Sequence, residues 1–267
     1  MHSINLTNEN IYTDLVTEQH LPKNTKTNKR KYKDITITDT LIDDYKYTTI
    51  YYNDITDTNN FKNLSEVLTS TLKKYIKIKE NDNILVVGLG NPKSTPDSLG
   101  PKTIENILVT RHLKILNVLD NNYSSVSTFK PSVIADTGIE SINLIKGIIK
   151  DIKATKVIVI DALKASKTER LVKTIQITNK GINPGSGINN NRGEISKKTM
   201  NTEVVSIGVP TVVDIKTILK SILKEEVTLE NNLILTPTDI DFQIEKLSEL
   251  LSQSINKTLH KKLYPTK

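Results

Sequence analysis

The stretch VVGLGNPKSTPDSLGPKTIENILVTRHL, Val86 to Leu113, decides the fold. It passes from an apolar strand through a glycine turn and a polar loop into an amphipathic helix, the repeating unit of alternating α/β proteins. Gly88 and Gly90 suit a tight turn that needs positive φ. A third correctly spaced glycine is absent, and no Gly-Lys-Ser/Thr follows, so neither nucleotide-binding fingerprint is met. The loop holds one acid, Asp97, between Pro96 and the Gly100-Pro101 pair. A stiff loop presenting a carboxylate suits a catalytic group, and it equally suits an N-cap for the helix that follows.

Outward from this unit the alternation repeats. Upstream, NLSEVLTSTLKKYIKI sets Leu64, Val67, Leu68, Leu72 and Ile76 on one helical face and leads into the strand NILVVGLG. Downstream come a helix over about Ser98 to Leu113, the strand PSVIAD, the helix GIESINLIKGIIKDI and the strand KVIVID ending at Asp161. LVKTIQIT alternates like a hairpin strand, EVVSIGVP is a buried strand, and TVVDIKTILKSILKE is a helix. Thr236 and Pro237 open a long terminal helix after the strand NLIL. The expected class is α/β, a mostly parallel or mixed sheet with helices on both faces. Residues 1–60, rich in Asn, Thr, Asp and Lys, read as an appendage of short strands and linker before a catalytic domain over 61–267.

Composition narrows the chemistry. The 267 residues include no cysteine, which removes disulfides, thiolate catalysis and cysteine zinc sites together. The four histidines are scattered and show no metal-ligand spacing. Hydrophobic residues make up 36% and charged residues 25%, the balance of a globular chain. No run approaches the ~18 apolar residues of a membrane span, and a cytoplasmic location with no membrane partner is expected. Net charge is +7, but acidic and basic residues are interspersed. Only KNTKTNKRKYK, Lys23 to Lys33, is densely basic, and it reads as a solvated linker rather than a nucleic-acid contact.

Asp161 follows the buried run Val157 to Ile160, where a carboxylate titrates away from its usual range if desolvated. Capping the turn after its strand is the alternative role. In doubly wound sheets ligands bind outside the carboxyl ends of the strands, and both Asp97 and Asp161 fall there. Two neighbouring carboxyls hold one proton between them, so one can activate water while the other polarises a carbonyl. The long loop Asn179 to Ser196, dense in Gly, Asn and Ser, offers Gly185, Ser186 and Gly187 as backbone donors and Arg192 as a cation toward a peptide, or is disordered.

GLGNPKSTPDSLGPK, TGIES, VIVIDALKA, TIQIT, GINPGSG and SIGVPTVVD, in this order, resemble the germination protease family of spore-forming bacteria over about residues 83–258. The resemblance implies a fold related to the hydrogenase maturation endopeptidases. It also implies a cofactor-free endopeptidase of the spore core that degrades small acid-soluble spore proteins during germination. Such enzymes are made as self-processing zymogens and assemble as tetramers. The family's catalytic aspartates fall on Asp97 and Asp161. YTDLVTE resembles the family's processing site, which implies cleavage between Asp14 and Leu15 and a propeptide of residues 1–14. Asn179 and Asn183 stand where the family usually has Asp and His. Two rival readings are a metal-dependent endopeptidase of the maturation type and a basic nucleic-acid-binding protein.

Overall fold

The computed structural model describes residues 13–184, 193–224, 227, 229, 231 and 233–261. One nine-stranded mixed sheet runs through it, in the order β1-β2-β3-β7-β8-β6-β4-β5, with β9 beside β8. Its parallel portion comprises β4 (Asn83–Gly88), β5 (Ser125–Phe129), β6 (Lys156–Ala165) and β8 (Glu203–Asp214). The rest is antiparallel: β1 (Lys26–Tyr32), β2 (Ile35–Ile42), β3 (Tyr45–Tyr51), β7 (Thr174–Thr178) and β9 (Ile234–Leu235).

Side-chain alternation divides the core into two layers. Ile84, Val86, Ile158 and Ile160 face one way, against α1 (Thr58–Ile76), α2 (Leu99–Glu105) and α8 (Ile240–Leu259). Leu85, Val87, Val157 and Val159 face the other, against Ile145, Ile149 and Ile152 of α5 (Ser141–Ile152). Short helices α3 (Arg111–Ile115), α4 (Ile134–Thr137), α6 (Lys197–Met200) and α7 (Ile215–Leu223) are the remaining α-helices among the described residues. Helix α1 buries Leu64, Val67, Leu68, Leu72 and Ile76, the stripe its spacing predicts, and the Asp57 carboxylate caps it by accepting the Asn60 N–H at 2.7 Å.

Several local expectations differ from the structure. Residues 15–60 supply three strands to the central sheet, and Ile35, Ile37, Ile50 and Tyr52 join the main core, because β3 pairs with β7 along its length. The sheet is therefore parallel only in its four-stranded part. PSVIAD holds a helical turn, since Pro131 lacks an N–H and Ser132 takes a positive φ of 60° just after β5. The helix expected over Ser98 to Leu113 splits in two. Leu108 is drawn out by Asn256 and His260, and Thr110 is tied to Ser124 and Val126. β6 runs four residues beyond Asp161, to Ala165, because β8 continues to pair with it across a register shift at Leu163/Lys164.

From β4 the chain winds to β5 on one side, then crosses to β6 on the other. The connections pack on opposite faces, so the order reverses between β4 and β6. That reversal opens a crevice at the carboxyl ends of these two strands.

Candidate active site

β4 stops at Gly88, opposite Ile160, and β6 goes on alone on that side. Asp161 is the first residue past the end of β4. It points to the α5 face with Val157 and Val159, is 6% exposed, and its Oδ1 accepts the Ala162 N–H at 3.0 Å. Desolvation there makes a second polar contact or a shared proton energetically important.

Asp97 arrives from the loop after β4. The Leu89 N–H donates to the Ile160 carbonyl at 2.8 Å, stitching the turn to β6. Gly90 follows with φ +116°, and a Cβ there would collide with the Asp97 carbonyl oxygen and lie 3.1 Å from its Oδ1. Only glycine leaves room for this carboxylate. Asp97 is held by its own N–H to the Ser94 carbonyl at 2.9 Å, and its Oδ2 accepts the Asn91 N–H at 2.8 Å. It is not the helix cap: Ser98 occupies that position without a side-chain capping bond.

Asp97 and Asp161 line one cavity of about 260 Å³, together with Leu89, Gly90, Lys164 and Pro184. A third carboxylate lines it too, that of Asp14. Residues 13–16 lie along the extension of β6: the Asp14 N–H donates to the Lys164 carbonyl at 2.9 Å, and Asp14 Oδ2 accepts the Lys164 N–H at 2.8 Å. Leu15 is fully buried with Leu163, Ala165, Leu171 and Val213. Beyond Asp14 a second cavity of about 220 Å³ is lined by Gln176, Tyr47, Gly181 and Asn183. Burial pushes the Tyr47 hydroxyl up to about 12, so it stays a neutral donor there.

Of the other expected site residues, Gly185, Ser186, Gly187 and Arg192 lie outside the described residues. The base of their loop is fixed beside the site: Ile182 and Ile195 exchange two backbone hydrogen bonds at 3.0 and 2.8 Å, and Pro184 reaches the cavity. Sequence reading missed Lys164, buried and paired with Asp214 at 3.3 Å, and Gln176, 6% exposed. The signal for Gln176 was there. It is the one amide among threonines on the positions of TIQIT that alternate with Ile175 and Ile177. Among the described residues no group of three or more histidines and acids has metal-binding geometry, and no helix is long and apolar enough to cross a membrane.

An open α/β sheet with acids gathered in the crevice at its switch point defines a hydrolase-like architecture in which a polypeptide segment already lies against the site. Comparison with known proteins gives that class its family. The family model described as germination protease matches residues 7–226. Germination proteases of Caldanaerobacter subterraneus and Clostridium tetani are each 38% identical to the chain, over 73% and 75% of it and 72% and 73% of their own lengths. That of Bacillus subtilis is 48% identical over 56% of this chain and 41% of its own. Among solved structures, a nickel–iron hydrogenase maturation protease from Thermococcus kodakarensis superposes with a TM-score of 0.40 at 15% identity, over 69% of this chain and 98% of the other. The chain belongs to the germination protease family, and is a peptidase of that family.

Proposed function

We propose that this chain is an endopeptidase whose catalytic unit is the pair Asp97 and Asp161, acting on small acid-soluble spore proteins in the spore core. The observation that carries the reading is that both carboxylates line one cavity at the switch point of the sheet, delivered by two different elements. The ionised member accepts a proton from a water molecule as that water attacks the scissile carbonyl carbon. The protonated member donates to the carbonyl oxygen as it gains charge. The tetrahedral intermediate collapses as the first carboxyl passes its proton to the leaving nitrogen and the hydroxyl formed from the carbonyl oxygen returns a proton to the second carboxylate, which restores one proton on the pair. The protons belong to the pair, so its two apparent titrations are not assignable to single residues.

The same site processes the chain between Asp14 and Leu15, releasing residues 1–14 as a propeptide, and the mature form assembles as a tetramer. Support comes from Asp14 lining the cavity of the two aspartates. Replacing either aspartate with Asn tests the reading: digestion of a purified small acid-soluble spore protein should fall on the order of 10³-fold or more, in line with losing a general acid or base. Turnover at the parent rate in either variant overturns it.

A further inference from the structure

The segment 13–16 is held by a side chain that makes no use of that segment's own side chains. Gln176 Nε2 donates to the Asp14 carbonyl at 3.0 Å, and Gln176 Oε1 accepts the Val16 N–H at 2.8 Å. One carboxamide thus bonds the backbone on both sides of residue 15. Its orientation is fixed by the partners: reversed, it would set oxygen against oxygen and N–H against N–H. Asn is a methylene too short to span the same two groups from the β7 backbone.

We infer that Gln176 is the peptide-positioning residue of the site, registering the extended backbone of the polypeptide being cut so that the carbonyl of the residue at position 14 is held against the two aspartates. This rests on the two-aspartate reading above.

Three observations carry it. First, Asp14 belongs to the cavity of Asp97 and Asp161, and to the neighbouring one that Gln176 lines, so the clamp stands directly beside the proposed chemistry. Residue 14 therefore stands between two cavities, one holding the aspartates and the other Gln176. Second, Gln176 is 6% exposed in a strand whose neighbours Ile175 and Ile177 are fully buried. Strand packing alone does not call for an amide at that depth, and desolvating one is unfavourable unless both of its polar ends find partners. Third, the partners are backbone groups, present in every peptide whatever its sequence. Such contacts set register and leave side-chain preference to other pockets. One backbone bond, from the Asp14 N–H to the Lys164 carbonyl, continues the same alignment along β6, while the Asp14 carboxylate takes the Lys164 N–H that a strand's carbonyl would otherwise accept.

A purely structural Gln176 would only tie down the N-terminal segment, and the two roles separate in the full-length chain. The rate of cutting between Asp14 and Leu15 is followed by intact mass, with the melting temperature and the exchange rate of the Val16 amide measured alongside. Gln176→Leu should slow the cut by at least about 30-fold, as expected for two buried backbone groups left unpaired, while the melting temperature stays within a few degrees. Gln176→Glu supplies the sharper readout. Ionised, it has lost the donor; protonated, it regains a donor and an acceptor on the same frame. Its cutting rate, taken relative to the parent at each pH, should recover as pH falls, with Val16 protection returning in step.

Cutting by Gln176→Leu at the parent rate, slowing that merely follows a fall in melting temperature, or a Gln176→Glu ratio indifferent to pH would each overturn the inference. A parent chain that never loses residues 1–14 overturns it as well. The two-aspartate reading is then judged separately, by the Asn variants on protein substrate.

Discussion

The two ends of the parallel strands differ in a way that volume alone misreads. At the carboxyl ends lies the cavity of about 260 Å³ lined by Asp14, Asp97 and Asp161. At the amino ends lies a far larger one, about 750 Å³, which opens where β7 stops at Thr178 and leaves β3 and β8 unbridged. Its walls carry Lys26, Lys46, Lys74, Lys77, Lys79 and Lys197, and its floor the buried Lys156 held by Asp82 and Glu203. The hydrogen bond from Lys156 keeps the Glu203 carboxyl below its usual range, the mark of a structural ion pair. The small cavity is lined by carboxylates from three different segments, while the charged groups lining the large one are mainly lysines, the buried one tied into ion pairs. On the proposed reading the chemistry lies where the strand order reverses and a buried strand outruns its neighbour, in the smaller of the two cavities.

Five variants test this contrast, from the largest effect downward. Asp97→Asn or Asp161→Asn should abolish turnover to the extent given above, with the melting temperature little changed. Gly90→Ala comes next: a Cβ on this positive-φ residue would push against the Asp97 carbonyl oxygen and shift the loop that presents its carboxylate, so activity on protein substrate should fall by about 10- to 100-fold, the equivalent of a strained turn worth ~1–3 kcal/mol. Wild-type activity in that variant would mean the loop tolerates a different Asp97 position, and the tight turn would lose its significance.

His260 gives a smaller effect, on stability only. It sits near the amino end of β5, where Tyr123 bridges to it and its Nε2 lies 3.3 Å from the Leu108 carbonyl oxygen. Burial holds its pKa below the ordinary 6.5, so the unfolded chain takes up a proton that the folded chain resists. Stability from this group is complete above pH 6.5 and is lost as pH falls through the window beneath it. Thermal melts of the parent should show that acid limb and those of His260→Asn should show it flattened, with kcat/KM unaffected by the substitution. The smallest effect belongs to the lysines. Lys77→Glu with Lys79→Glu should leave hydrolysis within about threefold of the parent, because exposed charges far from the reacting atoms are screened. A hundredfold loss there would move the functional end of the molecule.

What was legible in the sequence was periodic or local. Continuous apolar runs such as Val157 to Ile160 announce strands buried on both faces, the stripe of α1 announces its inward side, and glycine turns followed by acids announce the rim. Long-range pairings carry no such signal. Nothing in residues 26–52 states that they extend the main sheet, because alternation fixes a strand's faces and leaves its neighbours open. Asp161 reads as a strand end, since the pairing with β8 that carries β6 to Ala165 is made by residues more than 40 positions away. The Asp14 segment joins β6 across 150 residues, and only the fold discloses that it meets Gln176.

Whether Asp97 and Asp161 work as one unit is tested most directly by the rate of the double variant Asp97→Asn/Asp161→Asn on protein substrate, set beside the two single variants. Residues that act together lose nearly everything on the first removal. The double variant should therefore be no more than a few-fold slower than the worse single one. Losses that multiply, each aspartate contributing its full factor whether or not the other is present, would contradict a shared proton and a shared water.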